Sequence, residues 1–270
     1  MPLFALPFPA IDPVLIAFGP IAIRWYALAY IAGILLGWWY ALRVIDREQL
    51  WGKDGAPLTR QHADDFIVWL ALGIVAGGRI GYVLFYNLDY YAAHIGEAFA
   101  IWTGGMSFHG GLIGSALVTI IFCHIKKIPL RALMDLACAA APFGLFFGRL
   151  ANFIKPELWG RTTDMPWGIV FPGGGPEPRH PSQLYEAALE GIVLFFILRL
   201  FTHHLNALQR PGLTSGVFAC GYGAARIVVE FFRQPDIQIG YLAGGMTMGM
   251  VLSIPLILLG LYLILTANEH

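Results

Sequence analysis

Gly148-Arg-Leu-Ala-Asn-Phe-Ile-Lys-Pro-Glu-Leu-Trp-Gly-Arg161 decides how this chain is read, because it joins a charged segment directly to an apolar span covering roughly 131 to 153. Ionisable side chains are costly in hydrocarbon, so Arg149, Asn152, Glu157 and Arg161 at the edge of such a span point to charged chemistry there.

The surrounding sequence supports a membrane setting. The 270 residues are 57% hydrophobic, 14% aromatic and only 13% charged, with a mean hydropathy of +0.65, a profile of a multi-spanning helical membrane protein. Seven stretches approach the roughly 20 apolar residues that a span requires: 20–42, 65–86, 107–124, 131–153, 186–201, 214–232 and 242–266. The expected fold is therefore an all-α polytopic membrane protein of about seven transmembrane helices. Residues 1–270 form one integral membrane domain in this reading, with a small outward-facing (periplasmic) loop subdomain at 154–181 between the fourth and fifth spans. The opening Met1-Pro-Leu-Phe4 carries no basic region. The first apolar run, near Pro20 to Trp39, lacks an Ala-x-Ala cleavage signal, so it is read as a retained span.

Charge placement orients the chain. Arg43, Arg47, Lys53 and Arg60 follow the first span, Lys126, Lys127 and Arg131 the third, and Arg199 and Arg210 the fifth. The positive-inside rule makes that face cytoplasmic, with the amino terminus outside and the carboxyl terminus inside. The loop from Asn87 to Gly105 has no Lys or Arg, as an outward face requires. Equal numbers of acidic and basic residues leave no basic stripe to follow nucleic-acid phosphates. Cys123, Cys138 and Cys220 sit in apolar surroundings without Cys-x-x-Cys or His at ligand spacing, so small buried side chains are expected and neither a disulfide framework nor a metal site is indicated.

Eight cations remain: Arg24, Arg79, Arg149, Lys155, Arg161, Arg179, Arg226 and Arg233. For Arg24 and Arg79, snorkelling from span ends to headgroups accounts for the charge as well as function does. Tyr222, Arg226, Glu230 and Arg233 follow at intervals of four, four and three, which makes one helical stripe expected to face the bundle. One Glu against two Arg leaves one positive charge available for an anion. Arg149 and Asn152 share a face, and guanidinium suits bidentate recognition of phosphate, here pointing to an anionic lipid headgroup. Phe108-His109-Gly-Gly-Leu-Ile-Gly114 places a neutral-range titrating group beside glycines that permit close backbone approach, making His109 a candidate base or orienter if buried there. His180-Pro-Ser-Gln-Leu-Tyr-Glu186 opens the fifth span and carries Glu186 toward the membrane. Phe171-Pro-Gly-Gly-Gly-Pro-Glu-Pro178 lacks the Gly-Lys-Ser/Thr of a P-loop and reads as an irregular loop.

These motifs, with Arg24-Trp-Tyr26, Gly78-Arg-Ile-Gly81, Glu157-Leu-Trp-Gly-Arg161, Tyr222-Gly-Ala-Ala-Arg226 and Glu230-Phe-Phe-Arg-Gln-Pro-Asp236, resemble the prolipoprotein diacylglyceryl transferase family over nearly the whole chain. Ala151 stands where that family usually has Gly, and Lys155-Pro156 where it usually has Asn-Gly or Asn-Ser. The resemblance implies a bacterial inner-membrane enzyme. It would transfer the diacylglyceryl group of phosphatidylglycerol to the lipobox Cys thiol in prolipoprotein signal peptides, releasing glycerol phosphate, without a cofactor. Charge placement and resemblance together assign phosphate binding to Arg149 and Arg226 supported by Arg233, with Glu230 in the same stripe. Headgroup positioning falls to Asn152, Glu157 and Gly160. Thiol activation falls first to His109, with Tyr26 and Tyr222 as hydrogen-bonding partners or alternative proton acceptors.

Two other classes compete. An anion transporter would line a pathway with arginines through the bilayer, whereas these collect toward one leaflet without paired interrupted spans. A noncatalytic lipid scaffold would use the same arginines without turnover. Ser182 lacks a Gly-x-Ser-x-Gly elbow, and no span carries a carboxylate cluster for metal-dependent phosphotransfer.

Overall fold

The computed structural model describes residues 5–9, 11–12, 14–18, 21–235 and 240–268; Met1–Phe4, Pro20 and Asp236, which the sequence reading used, lie outside the described residues. The helices are α1 (Trp25–Ile45), α2 (Arg60–Tyr86), α3 (Leu88–Ala93), α4 (Phe108–Lys126), α5 (Leu130–Ile154), α6 (Ser182–Glu186), α7 (Leu194–His204), α8 (Leu213–Glu230) and α9 (Met248–Leu265). A π-helical stretch, Ala187–Val193, joins α6 to α7. The short strands are β1 (Leu6–Pro7), β2 (Val14–Phe18), β3 (Ile21–Arg24) and β4 (Ile169–Val170), paired β1 with β4 in parallel and β2 with β3 antiparallel. The chain is an all-α polytopic membrane protein. It divides into two compact units, Met1–Gly55 with Met134–His270, and Ala56–Leu133.

Among the described residues, five helices are long and apolar enough to cross a membrane: α1, α2, α4, α5 and α9. The expectation of about seven is met for these five. The other two expected spans are helical but differ in kind. One is the composite α6–π–α7, which holds Glu186 and Glu190, and the other is α8, which holds Arg226 and Glu230. The first span also begins later than its hydropathy implies, because Ile21–Arg24 pair as β3 and helix starts only at Trp25.

Side-chain caps start three of the spanning helices. Thr59 accepts from the His62 amide while His62 Nδ1 accepts from the Thr59 amide, a reciprocal capping box that opens α2. Ser107 Oγ accepts from Gly110 N–H to open α4, and Thr247 Oγ1 from Met250 N–H to open α9. Helix α8 has no cap of its own at Gly212; Asp135 of α5 supplies one, accepting from Gly212 N–H at 2.7 Å, Ser215 N–H at 2.7 Å and Ser215 Oγ at 2.6 Å. A buried carboxylate at a helix N-terminus satisfies orphan donors and the helix dipole together.

In the second unit, α2 and α4 meet along glycines four apart: Gly73, Gly77 and Gly81 on one helix, Gly110 and Gly114 on the other. A Cβ on Gly77 would stand 2.7 Å from Gly114 Cα and closer still to Gly110 O, so backbones touch where other residues would hold them apart. Ser107 N–H donates to Gly78 O at 2.9 Å and ties the start of α4 to the same seam. Arg79 does not snorkel. It is 4% exposed and donates to the carbonyls of Ala98, Glu97, Gly104 and Gly105 and to the Tyr91 hydroxyl, so it fastens the loop between α2 and α4.

In the first unit, the 154–181 segment is ordered by an aromatic cluster, Phe8, Phe153, Trp159 and Phe171, around the β1–β4 pair. The Gly-rich 171–178 stretch is an irregular loop, as expected, held by Arg179 Nε donating to Gly174 O at 2.7 Å. Trp167 Nε1–H donates to Tyr185 Oη, whose hydroxyl then serves His180 Nδ1 at 3.0 Å. Burial pushes His180 below the ordinary histidine value.

Two outcomes are expected. Gly77→Ala should cost about 1–3 kcal/mol of stability by overpacking the α2–α4 seam, whereas Gly144→Ala, whose Cβ meets nothing within 4 Å, should cost none; denaturation in detergent measures both. For His180, the unfolded chain takes up its proton before the folded one as pH falls. Its contribution is therefore complete above about pH 6.5 and is lost as pH drops below that. Melting curves from about pH 7.5 to 5.5 should fall more steeply for wild type than for His180→Gln; parallel curves would contradict this.

Candidate active site

The centre of the first unit is a network of three arginines and three glutamates. Helix α5 presents Arg149, α6 presents Glu186, the π stretch Glu190, and α8 Arg226 and Glu230, while Arg233 follows in the turn beyond α8. Glu186 is fully buried and takes three partners: Arg226 Nη1 at 2.6 Å and Arg233 Nη1 at 3.1 Å on Oε1, and Arg149 Nη1 at 3.2 Å on Oε2. Glu190, also fully buried, accepts Arg149 Nε at 3.2 Å and Nη2 at 3.1 Å on one oxygen. Glu230 pairs with Arg226 Nη2 and lies 3.9 Å from Arg233 Nε.

Local sequence explains this convergence. Pro181 precedes α6 at its N-cap position, and the wide π turn follows directly, sending the carboxylates of Glu186 and Glu190, four residues apart, to one guanidinium. Gly191 seats that turn against α5, since a Cβ there would stand 2.7 Å from Phe146 Cβ. Interrupted helices of this kind recur at functional sites. On the far side, Gly249 brings α9 so close that its Cβ would meet Glu230 Oε1 at 2.6 Å.

The expected stripe is therefore present, with Tyr222 in electrostatic reach of Glu190, Arg149, Arg226 and Glu186. Its charge balance needs correction. Glu186 and Glu190 join Glu230, so three carboxylates face three guanidiniums and the single surplus positive charge inferred from α8 alone does not exist. Glu190 carries no recognisable motif and escaped the sequence reading. An acid four residues after Glu186, inside an apolar run, was the available signal.

A second cluster lies one turn along α5. Asn152 Nδ2 donates to Glu157 Oε1 at 2.8 Å, and Lys155 pairs with Glu157 at 2.7 Å. Gln183 reaches Glu157 O at 2.6 Å, and Lys155 Nζ stands 5.6 Å over the Tyr26 ring, whose hydroxyl is 3.2 Å from that of Tyr30. Gly160 is a backbone junction: its N–H donates to His180 O, and a Cβ would stand 2.6 Å from both His180 O and Phe232 O. Arg161 donates to Arg233 O and Glu230 O, tying the segment to the end of α8. Ser182 is fully buried and donates to Leu158 O at 2.9 Å, which leaves it no role as a nucleophile.

His109 is carried by the second unit. It is exposed on the first turn of α4, not buried beside the glycines as its candidacy as a base supposed, because Gly110 and Gly114 turn toward α2 and successive helical residues diverge by about 100°. Its ring contacts Phe108 edge-on at 5.7 Å between centroids.

A sequence model described as prolipoprotein diacylglyceryl transferase matches residues 13–266. The phosphatidylglycerol–prolipoprotein diacylglyceryl transferase of Rhizobium meliloti is 59% identical over 98% of this chain and 95% of its own. The protein of the same name from Beijerinckia indica is 58% identical over 99% and 97%, and that from Agrobacterium fabrum 56% identical over 98% and 95%. With the motifs distributed from α1 to the turn beyond α8 and a family match across nearly all of its length, the chain belongs to the prolipoprotein diacylglyceryl transferase family.

Proposed function

We infer that this enzyme transfers the diacylglyceryl group of phosphatidylglycerol to the thiol of a lipobox Cys in a prolipoprotein signal peptide. The bond that forms joins the Cys sulfur to the terminal glycerol carbon. The bond that breaks joins that carbon to the phosphate oxygen, so a thioether and glycerol phosphate result. The thiol proton must go to a base, since thiolate is the nucleophile and a free thiol has a pKa of about 8.5. Negative charge grows on the departing phosphate, and donors already aimed at it lower the barrier.

The observation that carries this reading is Glu186 held by three arginines. The carboxylates fix Arg149, Arg226 and Arg233 in place before any lipid arrives, so their alignment costs little during the reaction. Arg149 and Arg226 are assigned to the lipid phosphate with Arg233 and Glu230 in support. Asn152 and Glu157, braced by Lys155 and Gln183, are assigned to the headgroup, with Gly160 setting the local backbone. Tyr222 stands beside the network and Tyr26 beside the Asn152 cluster as hydrogen-bonding groups or proton acceptors. His109, exposed at the start of α4, is assigned the thiol proton on the family resemblance and not on burial.

The positive-inside distribution supports an inner-membrane enzyme with its amino terminus outside, its carboxyl terminus in the cytoplasm and the 154–181 segment facing outward. Two hydrophobic substrates then meet by lateral entry from the bilayer.

Detergent-purified protein incubated with phosphatidylglycerol and a single-Cys lipobox peptide should yield a diacylglyceryl mass increment with stoichiometric glycerol phosphate. Lipid binding without either product would turn the reading into that of a scaffold. In the same assay Arg149→Ala and Arg226→Ala should each lower kcat by about 10²–10³, the loss typical of a preorganised charge-stabilising donor. His109→Gln should lower it by about 10²–10⁴, and wild-type turnover would remove His109 from the mechanism.

A further inference from the structure

A second basic site lies far along the same helical run. Between α1, α5 and α7 is a cavity of about 260 Å³ walled by Tyr40, Phe143 and Phe195, with Arg43, Arg47 and Arg199 among its lining residues. The aromatic wall is a packed unit: ring centroids are 5.5 Å apart for Tyr40–Phe143, 5.3 Å for Tyr40–Phe195 and 5.0 Å for Phe143–Phe195. Arg199 Nη1 lies 3.4 Å from His203 Nε2, and Arg43 stands over Trp39 at 5.2 Å. No Asp or Glu is among the described residues lining the cavity, in contrast to the three-and-three balance of the active-site network. Arg199 follows Glu186 by thirteen residues, so helical rise separates the two sites by about 20 Å.

Three guanidiniums beside a low-dielectric wall favour a compact oxyanion. The rim narrows the choice of ligand. Trp39 is 50% exposed and Phe196 63% exposed, which suits chains lying against the outside of the helices better than a freely soluble anion. A volume of about 260 Å³ suits a headgroup, with acyl chains lying along that rim.

We propose that this cavity binds the phosphate headgroup of an anionic phospholipid at the leaflet opposite the active-site network, through Arg43, Arg47 and Arg199. The lipid is a bound companion of the fold and not the diacylglyceryl donor. Its site adjoins the ends of α1 and α7, where the cations following the first and fifth spans collect.

Native mass spectrometry of the full detergent-purified chain tests this with three probes: dioleoyl phosphatidic acid, dioleoyl phosphatidylcholine and soluble glycerol phosphate. Wild type should retain one more phosphatidic acid than Arg43→Gln/Arg47→Gln, with an apparent affinity at that site at least about tenfold higher, as the loss of charge-assisted contacts predicts. Arg199→Gln alone should weaken the same lipid, and Arg149→Ala should leave it in place. Transfer activity of the double variant should stay at the wild-type level, which also reports that it is folded. Equal retention by wild type and the double variant overturns the proposal. So does equal binding of phosphatidylcholine, which would make it a nonspecific annulus, or displacement by glycerol phosphate at matched concentration, which would make the ligand a soluble phosphate.

Discussion

Glu186 is the residue on which the first unit turns. A carboxylate with no solvent exposure is expensive unless its partners are in place, and removal of one member of a buried ion pair typically costs about 3–5 kcal/mol. Here one carboxyl group meets arginines from α5, from α8 and from the turn beyond α8. The elements that carry those arginines are thereby held in mutual register by charge. The burial of charge that makes α8 a poor membrane span by composition is the same feature that makes it the backbone of the site.

Close approach of backbones serves the same end. Gly191 lets the π turn settle on Phe146, and Gly249 lets α9 reach Glu230. A methyl group at Gly191 would collide with Phe146 Cβ and Cα, and one at Gly249 would displace the charged ends of Glu230 and Arg226. In the second unit the α2–α4 glycine seam allows close approach for packing alone. Without a hydrophobic force between helices in lipid, tight van der Waals contact is what holds them.

Much of this was legible in the residue pattern. Helix positions followed largely from apolar run length, the stripe Tyr222, Arg226, Glu230 from helical spacing, and close backbone approach at the start of α4 from its glycines. What could not be read was set by distant contacts. The partners of Arg226 and Arg233 come from a segment about forty residues earlier, so counting charge on α8 alone gave a surplus that α6 removes. Arg79 could be read as either snorkelling or functional, because its acceptors are backbone carbonyls of the loop that follows, which no side-chain pattern announces. Asp135 was unremarkable on α5 because the amides it caps belong to residues 212 and 215.

A charge-balanced network can still receive an anion. A guanidinium carries five N–H donors in one plane, and the three contacts of Arg149 to Glu186 and Glu190 do not use them all. An incoming phosphate adds to a frame whose cations are already oriented, and the carboxylates keep them from repelling one another while the site awaits lipid. In the proposed assignment, charge rises on the phosphate as the carbon–oxygen bond breaks, and each arginine gains more from it than from the headgroup before reaction. On that assignment it is this difference between bound lipid and transition state, and not tight binding of the lipid, that would accelerate transfer. A positive surplus would hold the donor and the departing glycerol phosphate alike, slowing release without lowering the barrier.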